Sequence, residues 1–193
     1  KLATQRKGAP ADGVRRVTCV DKANIFQSMA FFRQIFYEVA KDFPSVQAEH
    51  SYVDAMTMFM VQRPLRYDVM VSENMFGDII SDLGAGTVGG LGMAPSGDIG
   101  DTYGLFQSSH GTAPDIAGKG IANPVAQILS VRMMLEWLAE TKRDHQCSQA
   151  AQAIERAVEK TLADRKNHTA DIGGTATTTA VGDAVAKAIA TGL

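Results

Sequence analysis

The sequence predicts an α/β protein in two parts, and three observations carry this. Up to Leu83, short β-branched runs alternate with apolar repeats of helical spacing, the pattern of a mainly parallel sheet. Glycines then crowd between Gly84 and Gly100, where the composition changes abruptly. Beyond them, long helical patterns dominate. These features place residues 1–88 in one domain and 89–193 in another.

Composition narrows the function classes. The chain has 193 residues, 45% of them hydrophobic, and a formal net charge of −2, as in an ordinary globular protein. No basic run is longer than a pair such as Arg15-Arg16 and there is no acidic tail, so nothing points to a nucleic-acid partner. No apolar run reaches the ~18 residues of a membrane span, and no signal peptide is apparent. Cys19 and Cys147 lack metal-ligand spacing and read as reduced thiols, which points to the cytoplasm. The chain opens on Lys1, and residues 1–7 read as the last turn of a helix begun earlier, so we expect the C-terminal part of a longer protein.

Residues 14–20 alternate β-branched and apolar positions and form the first predicted strand. Asn24 is placed to cap a helix carried by Ile25, Met29, Phe32, Ile35, Phe36 and Val39, which Pro44 stops. Lys22 falls at a strand's C-terminal end, the ligand side of open α/β sheets, although a solvated lysine fits there too. A second strand over 46–52 leads into an apolar helix over 53–61, whose Asp54 suits the positive helix end. Its methionines suit a core or a subunit interface. A third strand, 67–71, precedes Glu73-Asn74-Met75-Phe76-Gly77-Asp78-Ile79-Ile80-Ser81-Asp82. On a helix the Asp78 and Asp82 carboxylates stand on one face and repel unless a cation sits between them. Oxygen ligands suit Mg²⁺ or Mn²⁺, and a solvated acidic face is the alternative.

The stretch from Gly84 to Gly100 reads as a linker, a hinge, or backbone that approaches something closely. Residues 105–109 form a weak strand, followed by the Gly- and Pro-rich run from His110 to Pro124. Loops of this length are commonly functional, yet this one is neither GxGxxG nor a P-loop. Asn123 caps and Pro124 opens a helix whose apolar residues, from Val125 to Leu138, nearly encircle it. A polar break over 143–148, an amphipathic helix over 150–163, a turn over 168–175 and a last helix over 178–190 complete the chain. His50, His145 and His168 read as structural or solvated.

Four motifs now stand together: Val20-Asp21-Lys22-Ala23-Asn24, Tyr52-Val53-Asp54-Ala55-Met56, the Asn74 to Asp82 run, and His110-Gly111-Thr112-Ala113-Pro114-Asp115-Ile116-Ala117-Gly118. In this order and spacing the chain resembles the metal-dependent β-decarboxylating dehydrogenases. That is the 3-isopropylmalate and isocitrate dehydrogenase family, and the likeness is greatest to its isopropylmalate-like branch. The resemblance implies the two-domain isopropylmalate dehydrogenase-like fold, not a standard Rossmann fold, with a substrate and dimerisation domain first and part of a cofactor domain second. It implies an NAD-dependent homodimer in the cytoplasm, with active sites shared across the interface, acting on a small 2-hydroxy acid with Mg²⁺ or Mn²⁺. Asp78 and Asp82 would ligate the metal, joined by Asp54 from the neighbouring subunit. Lys22 would cross the same interface to assist proton removal from the substrate hydroxyl. Asn24 would lie near the nicotinamide, and His110, Gly111, Thr112, Ala113, Asp115 and Asn123 would hold the adenosine half.

The chemistry accounts for these residue types. A cation chelated by the acid's hydroxyl and carboxylate eases proton loss as hydride leaves, then stabilises the charge that develops as CO₂ departs. A carboxylate at Asp115 accepts hydrogen bonds from ribose hydroxyls and repels a 2′-phosphate. NADP-preferring relatives carry Lys-Tyr where this chain has Asp115-Ile116, which predicts NAD. Gln107-Ser108-Ser109 departs from the family's Glu-Pro-Val and removes a negative charge near the expected nicotinamide. The family's substrate-binding arginines and catalytic tyrosine have no counterpart here. The alternatives are an isocitrate, tartrate or malate dehydrogenase of the same family, or a fragment that dimerises and binds nucleotide without turnover.

Overall fold

The computed structural model describes residues 1–192. It shows two compact units, Lys1–Thr87 and the residues from Val88 onward. The first contains α1 (Leu2–Gln5), β1 (Arg16–Asp21), α2 (Gln27–Ala40), β2 (Gln47–Tyr52), α3 (Val53–Gln62), β3 (Val69–Ser72) and α4 (Asn74–Thr87). Its strands form a three-stranded sheet in the order β2-β1-β3, and both pairings are parallel. Each crossover is helical, as parallel strands require. The central strand β1 is buried from Thr18 to Asp21. Val20, Met56, Met60 and Ile80 form the core, with Val53, Tyr67, Met70 and Leu83 packed on it. Burial and the nearby Asp21 charge push the Cys19 thiol up to about 12, so it stays protonated and inert.

The second unit holds β4 (Pro95–Ile99), β5 (Gly104–Ser108), α5 (Val125–Lys142), α6 (His145–Leu162) and α7 (Thr178–Ala190). β4 and β5 form an antiparallel hairpin. Val125, Ala157, Val158, Val181, Val185 and Ala188 make one buried cluster joining the three helices. Among the described residues, no helix is long and apolar enough to cross a membrane.

Several elements differ from the sequence reading, each for a visible reason. Asn24 does not cap α2. The Asp21 carboxylate accepts the Ala23 amide at 2.9 Å, and the Lys22 carbonyl accepts the amides of Ile25 and Phe26. This closes a turn around Asn24 and delays the helix to Gln27. The inward face of α2 is Met29, Phe32, Arg33, Phe36 and Tyr37, while Ile25, Ile35 and Val39 are exposed. α4 starts at Asn74, directly after Glu73, whose carboxylate accepts the amides of Met75 and Phe76. The glycine-rich stretch is not simply a linker: Gly84 and Gly86 lie within α4, and Gly97 lies in β4. Close approach explains the hairpin's glycines, since a Cβ at Gly104 would meet the Phe106 ring at 2.8 Å. α5 is not encircled by core. Only Val125, Ala126 and Ser130 are fully buried, and the helix packs on the hairpin and on α6. The polar break ends early because Asp144 caps α6, accepting the amides of Gln146 and Cys147.

Two carboxylates link the first unit to pH. Glu49 accepts both Arg66 Nη1 at 2.6 Å and Nη2 at 2.7 Å. These hydrogen bonds hold its pKa below the ordinary value of 4.5, against the opposing effect of burial. At Asp21 burial is the largest influence and acts upward, but hydrogen bonds from Arg33 and the Ala23 amide, with the Arg33 charge, hold the net shift downward from 3.8. A lowered folded-state pKa gives stability that is present above the unfolded-state value and is lost as pH falls through the folded-state one. Unfolding free energy should therefore drop as pH falls below about 4.5, with a shallower acid limb in Glu49→Gln. Urea melts across that range check this.

Candidate functional site

Each strand of the parallel sheet delivers a candidate residue at its C-terminal end. β1 runs out at Asp21 into Lys22, β2 ends at Tyr52 just before Asp54, and β3 leads through Glu73 into α4 with Asp78 and Asp82. The parallel register makes Asp21 and Tyr52 direct neighbours, so Lys22 and Asp54 emerge side by side. Their side chains meet: Lys22 Nζ lies 2.8 Å from Asp54 Oδ1. Lys22 is mostly covered and Asp54 is 68% exposed. The hydrogen bond from Lys22 lowers the Asp54 pKa, so the carboxylate is ionised at neutral pH.

Asp78 and Asp82 stand one turn apart on α4, both exposed. Asp78 accepts a hydrogen bond from Asn74 Nδ2 at 3.3 Å, and among the described residues no basic side chain pairs with either carboxylate. Two uncompensated hard oxygen donors on one helical face fit a divalent cation. A third protein ligand does not join them: among the described residues, no group of three or more His, Cys, Asp or Glu side chains is placed to hold a metal. The chain thus presents two separate pairs, Lys22 with Asp54 and Asp78 with Asp82.

Asn24 lies exposed in the turn after Lys22, and the second unit carries the other candidates on the loop after β5. His110 to Asp115 are exposed. His110 Nδ1 lies 2.8 Å from the Gly111 carbonyl oxygen, which only accepts, so Nδ1 is the donor of this contact. Ala113 adopts a left-handed conformation, φ 46° and ψ 61°, ahead of a short turn over Pro114–Ile116. For a residue with a Cβ this costs on the order of 1 kcal/mol, a strain that tends to collect in binding loops.

The far end of the loop is pinned. Thr178, at the start of α7, donates from its amide to the Gly120 carbonyl at 2.9 Å and from its hydroxyl to the Ala122 carbonyl at 2.5 Å. Asn123 is buried; its Oδ1 accepts the Val125 amide at 3.0 Å, and its Nδ2 donates to Asp171 Oδ2 at 3.0 Å. Its side chain is therefore committed to the loop's own frame. Gly92 is required beside it, because a Cβ there would lie 2.7 Å from Asp171 Oδ2. The sequence reading overlooked Asp171 and Thr178 as loop anchors, and nothing local in the sequence marks residues paired 48 and 56 positions away. It also overlooked Arg33. The signal there was a cation on the inward stripe of an apolar helix.

These features have close counterparts in known proteins. The sequence model of the family described as isocitrate/isopropylmalate dehydrogenase matches residues 2–185. The chain is 47% identical, over 97% of its length, to the 3-isopropylmalate/3-methylmalate dehydrogenase of Methanocaldococcus jannaschii, covering 54% of that protein. It is 48% identical, over 98% of its length, to the isocitrate/homoisocitrate dehydrogenase of Thermus thermophilus, covering 56% of it. The crystal structure of isocitrate dehydrogenase from Methylococcus capsulatus matches 90% of this chain with a TM-score of 0.82 at 42% identity, using 50% of that chain. The chain spans about half the length of the relatives it matches. On this agreement in sequence and fold, the chain belongs to the isocitrate/isopropylmalate dehydrogenase family, which comprises β-decarboxylating oxidoreductases.

Proposed function

We propose that the chain is part of an NAD-dependent enzyme that oxidatively decarboxylates a 2-hydroxy acid of the 3-isopropylmalate type with Mg²⁺ or Mn²⁺. The observation that carries this is the 2.8 Å pair of Lys22 with Asp54, presented at the same sheet end as Asp78 and Asp82. The family resemblance sends Lys22 and Asp54 to one site on the neighbouring subunit. Their pairing within a single chain supports joint delivery. Asp78 and Asp82 then form the other half of the site, and the shortfall of ligands within one chain is the arrangement a shared dimer site requires. Exposed Met58 and Val61 on α3 and Met75 and Ile79 on α4 are suited to the interface that brings the halves together.

A divalent cation at the aspartates would polarise the acid's hydroxyl and carboxylate and stabilise charge as CO₂ leaves. The chain's own residues do the rest. Lys22 Nζ is positioned to exchange a proton with the substrate, and Asp54 pairs with it and would supply an oxygen ligand. Asn24, exposed in the turn after Lys22, is assigned to the nicotinamide end of the cofactor. On the loop, His110 would lie beside the adenine, and Asp115 would bind the ribose. An isocitrate-type acid is the second reading, favoured by the 48% identity to the Thermus isocitrate/homoisocitrate dehydrogenase.

Cofactor choice gives a direct test. Asp115→Lys with Ile116→Tyr in the full-length protein should shift the NAD to NADP ratio of kcat/KM towards NADP by about tenfold or more, since a repulsive carboxylate becomes a cation beside the 2′-phosphate. An unmoved ratio would remove this loop from the cofactor site. A panel of 2-hydroxy acids assayed by NADH formation then selects the substrate.

A further inference from the structure

Arg33 sits on the inward face of α2, where apolar side chains are expected. Its Nε donates to Asp21 Oδ2 at 2.8 Å and its Nη2 to Asp21 Oδ1 at 2.5 Å, a two-point fork onto a carboxylate with no exposed surface. The same guanidinium lies 5.0 Å from the centroid of the Tyr52 ring. Asp21 and Tyr52 are register partners and the last residues of β1 and β2. Lys22 follows the first directly, and Asp54 follows the second by two positions. Asp21 also shapes the turn that holds Lys22, by accepting the Ala23 amide at 2.9 Å.

The Lys22–Asp54 contact cannot fix its own geometry. An ion pair with one partner 68% exposed is weak and screened, and the Asp54 side chain is free to change rotamer in water. What is fixed is the pair of strand ends beneath it, and one guanidinium ties those ends together. We propose that Arg33 is a positioning residue that sets Lys22 and Asp54 as one unit through Asp21 and Tyr52. Lysine cannot replace it, because an ammonium neither makes the two-point fork nor stacks on the ring as a plane. What the pair does chemically rests on the function proposed above; that it is held does not.

The test uses Arg33→Lys, which keeps the charge, and Tyr52→Leu, which removes the ring and leaves the buried pair intact. Both are made in the full-length protein, and thermal melts confirm folding. The first readout needs no turnover. Lys22 in the metal-free protein is acylated with acetic anhydride and followed by peptide mass spectrometry, with Lys187 of the second unit as internal reference. Both variants should acylate Lys22 several-fold faster than wild type, approaching Asp54→Asn, with Lys187 unchanged. The second readout is kinetic: kcat should fall by about 10- to 100-fold, the cost of an ångström-scale misplacement, while KM for NAD stays put. A wild-type acylation rate in both variants overturns the proposal. So does a KM for NAD that rises in step with the loss of kcat, which marks general loosening. If the wild type itself shows no metal-dependent turnover, the functional reading fails alone and Lys22 acylation decides the clamp.

Discussion

In the full-length protein, Asp78→Asn is expected to lower kcat/KM for the 2-hydroxy acid by about 10³-fold and to weaken Mn²⁺ binding with it. A cation acting on developing charge contributes several kcal/mol, and at 1.36 kcal/mol per tenfold about 4 kcal/mol is at stake. Asparagine keeps the shape and one oxygen of the side chain but loses the charge the cation needs. The fold should not suffer. Asp78 is exposed, its carboxylate accepts the 3.3 Å contact from Asn74, and among the described residues no basic side chain pairs with its neighbour Asp82. Relieving that repulsion is worth a few tenths of a kcal/mol, so the metal-free variant should melt at or slightly above wild type. Mn²⁺ titration by electron paramagnetic resonance separates the two effects. Wild-type affinity in the variant would remove Asp78 from the ligand set.

Asp21→Asn is expected to have the largest effect on stability, about 3 to 5 kcal/mol, since it leaves a cation facing a buried neutral group. The side chain of Asp21 is wholly covered, whereas Arg33 is 18% exposed. The abandoned guanidinium can reach some water, which favours the lower end of that range. The double variant Asp21→Asn with Arg33→Met should recover much of the loss, because removing both charges costs far less than stranding one. Urea denaturation of the two variants and wild type gives the comparison. A single-variant loss below about 1 kcal/mol would place this pair in the class of screened surface contacts.

The sequence showed most of what local pattern controls. Strands β1, β2 and β3 and helices α3 and α7 lie within a residue or two of where alternation and spacing placed them. Asp78 and Asp82 fall on one face of α4, because helical spacing alone decides that. The misreadings came where a distant or unusual partner overrode local chemistry. Asn24 lost its cap to a turn built by Asp21 and Lys22. Glu73 started α4 with a carboxylate longer than the residues usually sought at that position. The strand β4 hid among glycines whose role emerges only against the Phe106 ring. Within the site, Lys22 and Asp54 were legible as residue types at strand ends. Their 2.8 Å contact was not, because it depends on the pairing register of β1 with β2.

One assay addresses the metal directly. Initial rates of NADH formation by the full-length protein are measured with 3-isopropylmalate and NAD, first with Mn²⁺, then after chelation, then with Mn²⁺ restored. The expected result is turnover that disappears on chelation and returns with the cation. NADH formation that continues unchanged in the presence of chelator would contradict the assignment of Asp78, Asp82 and Asp54 to a shared metal site.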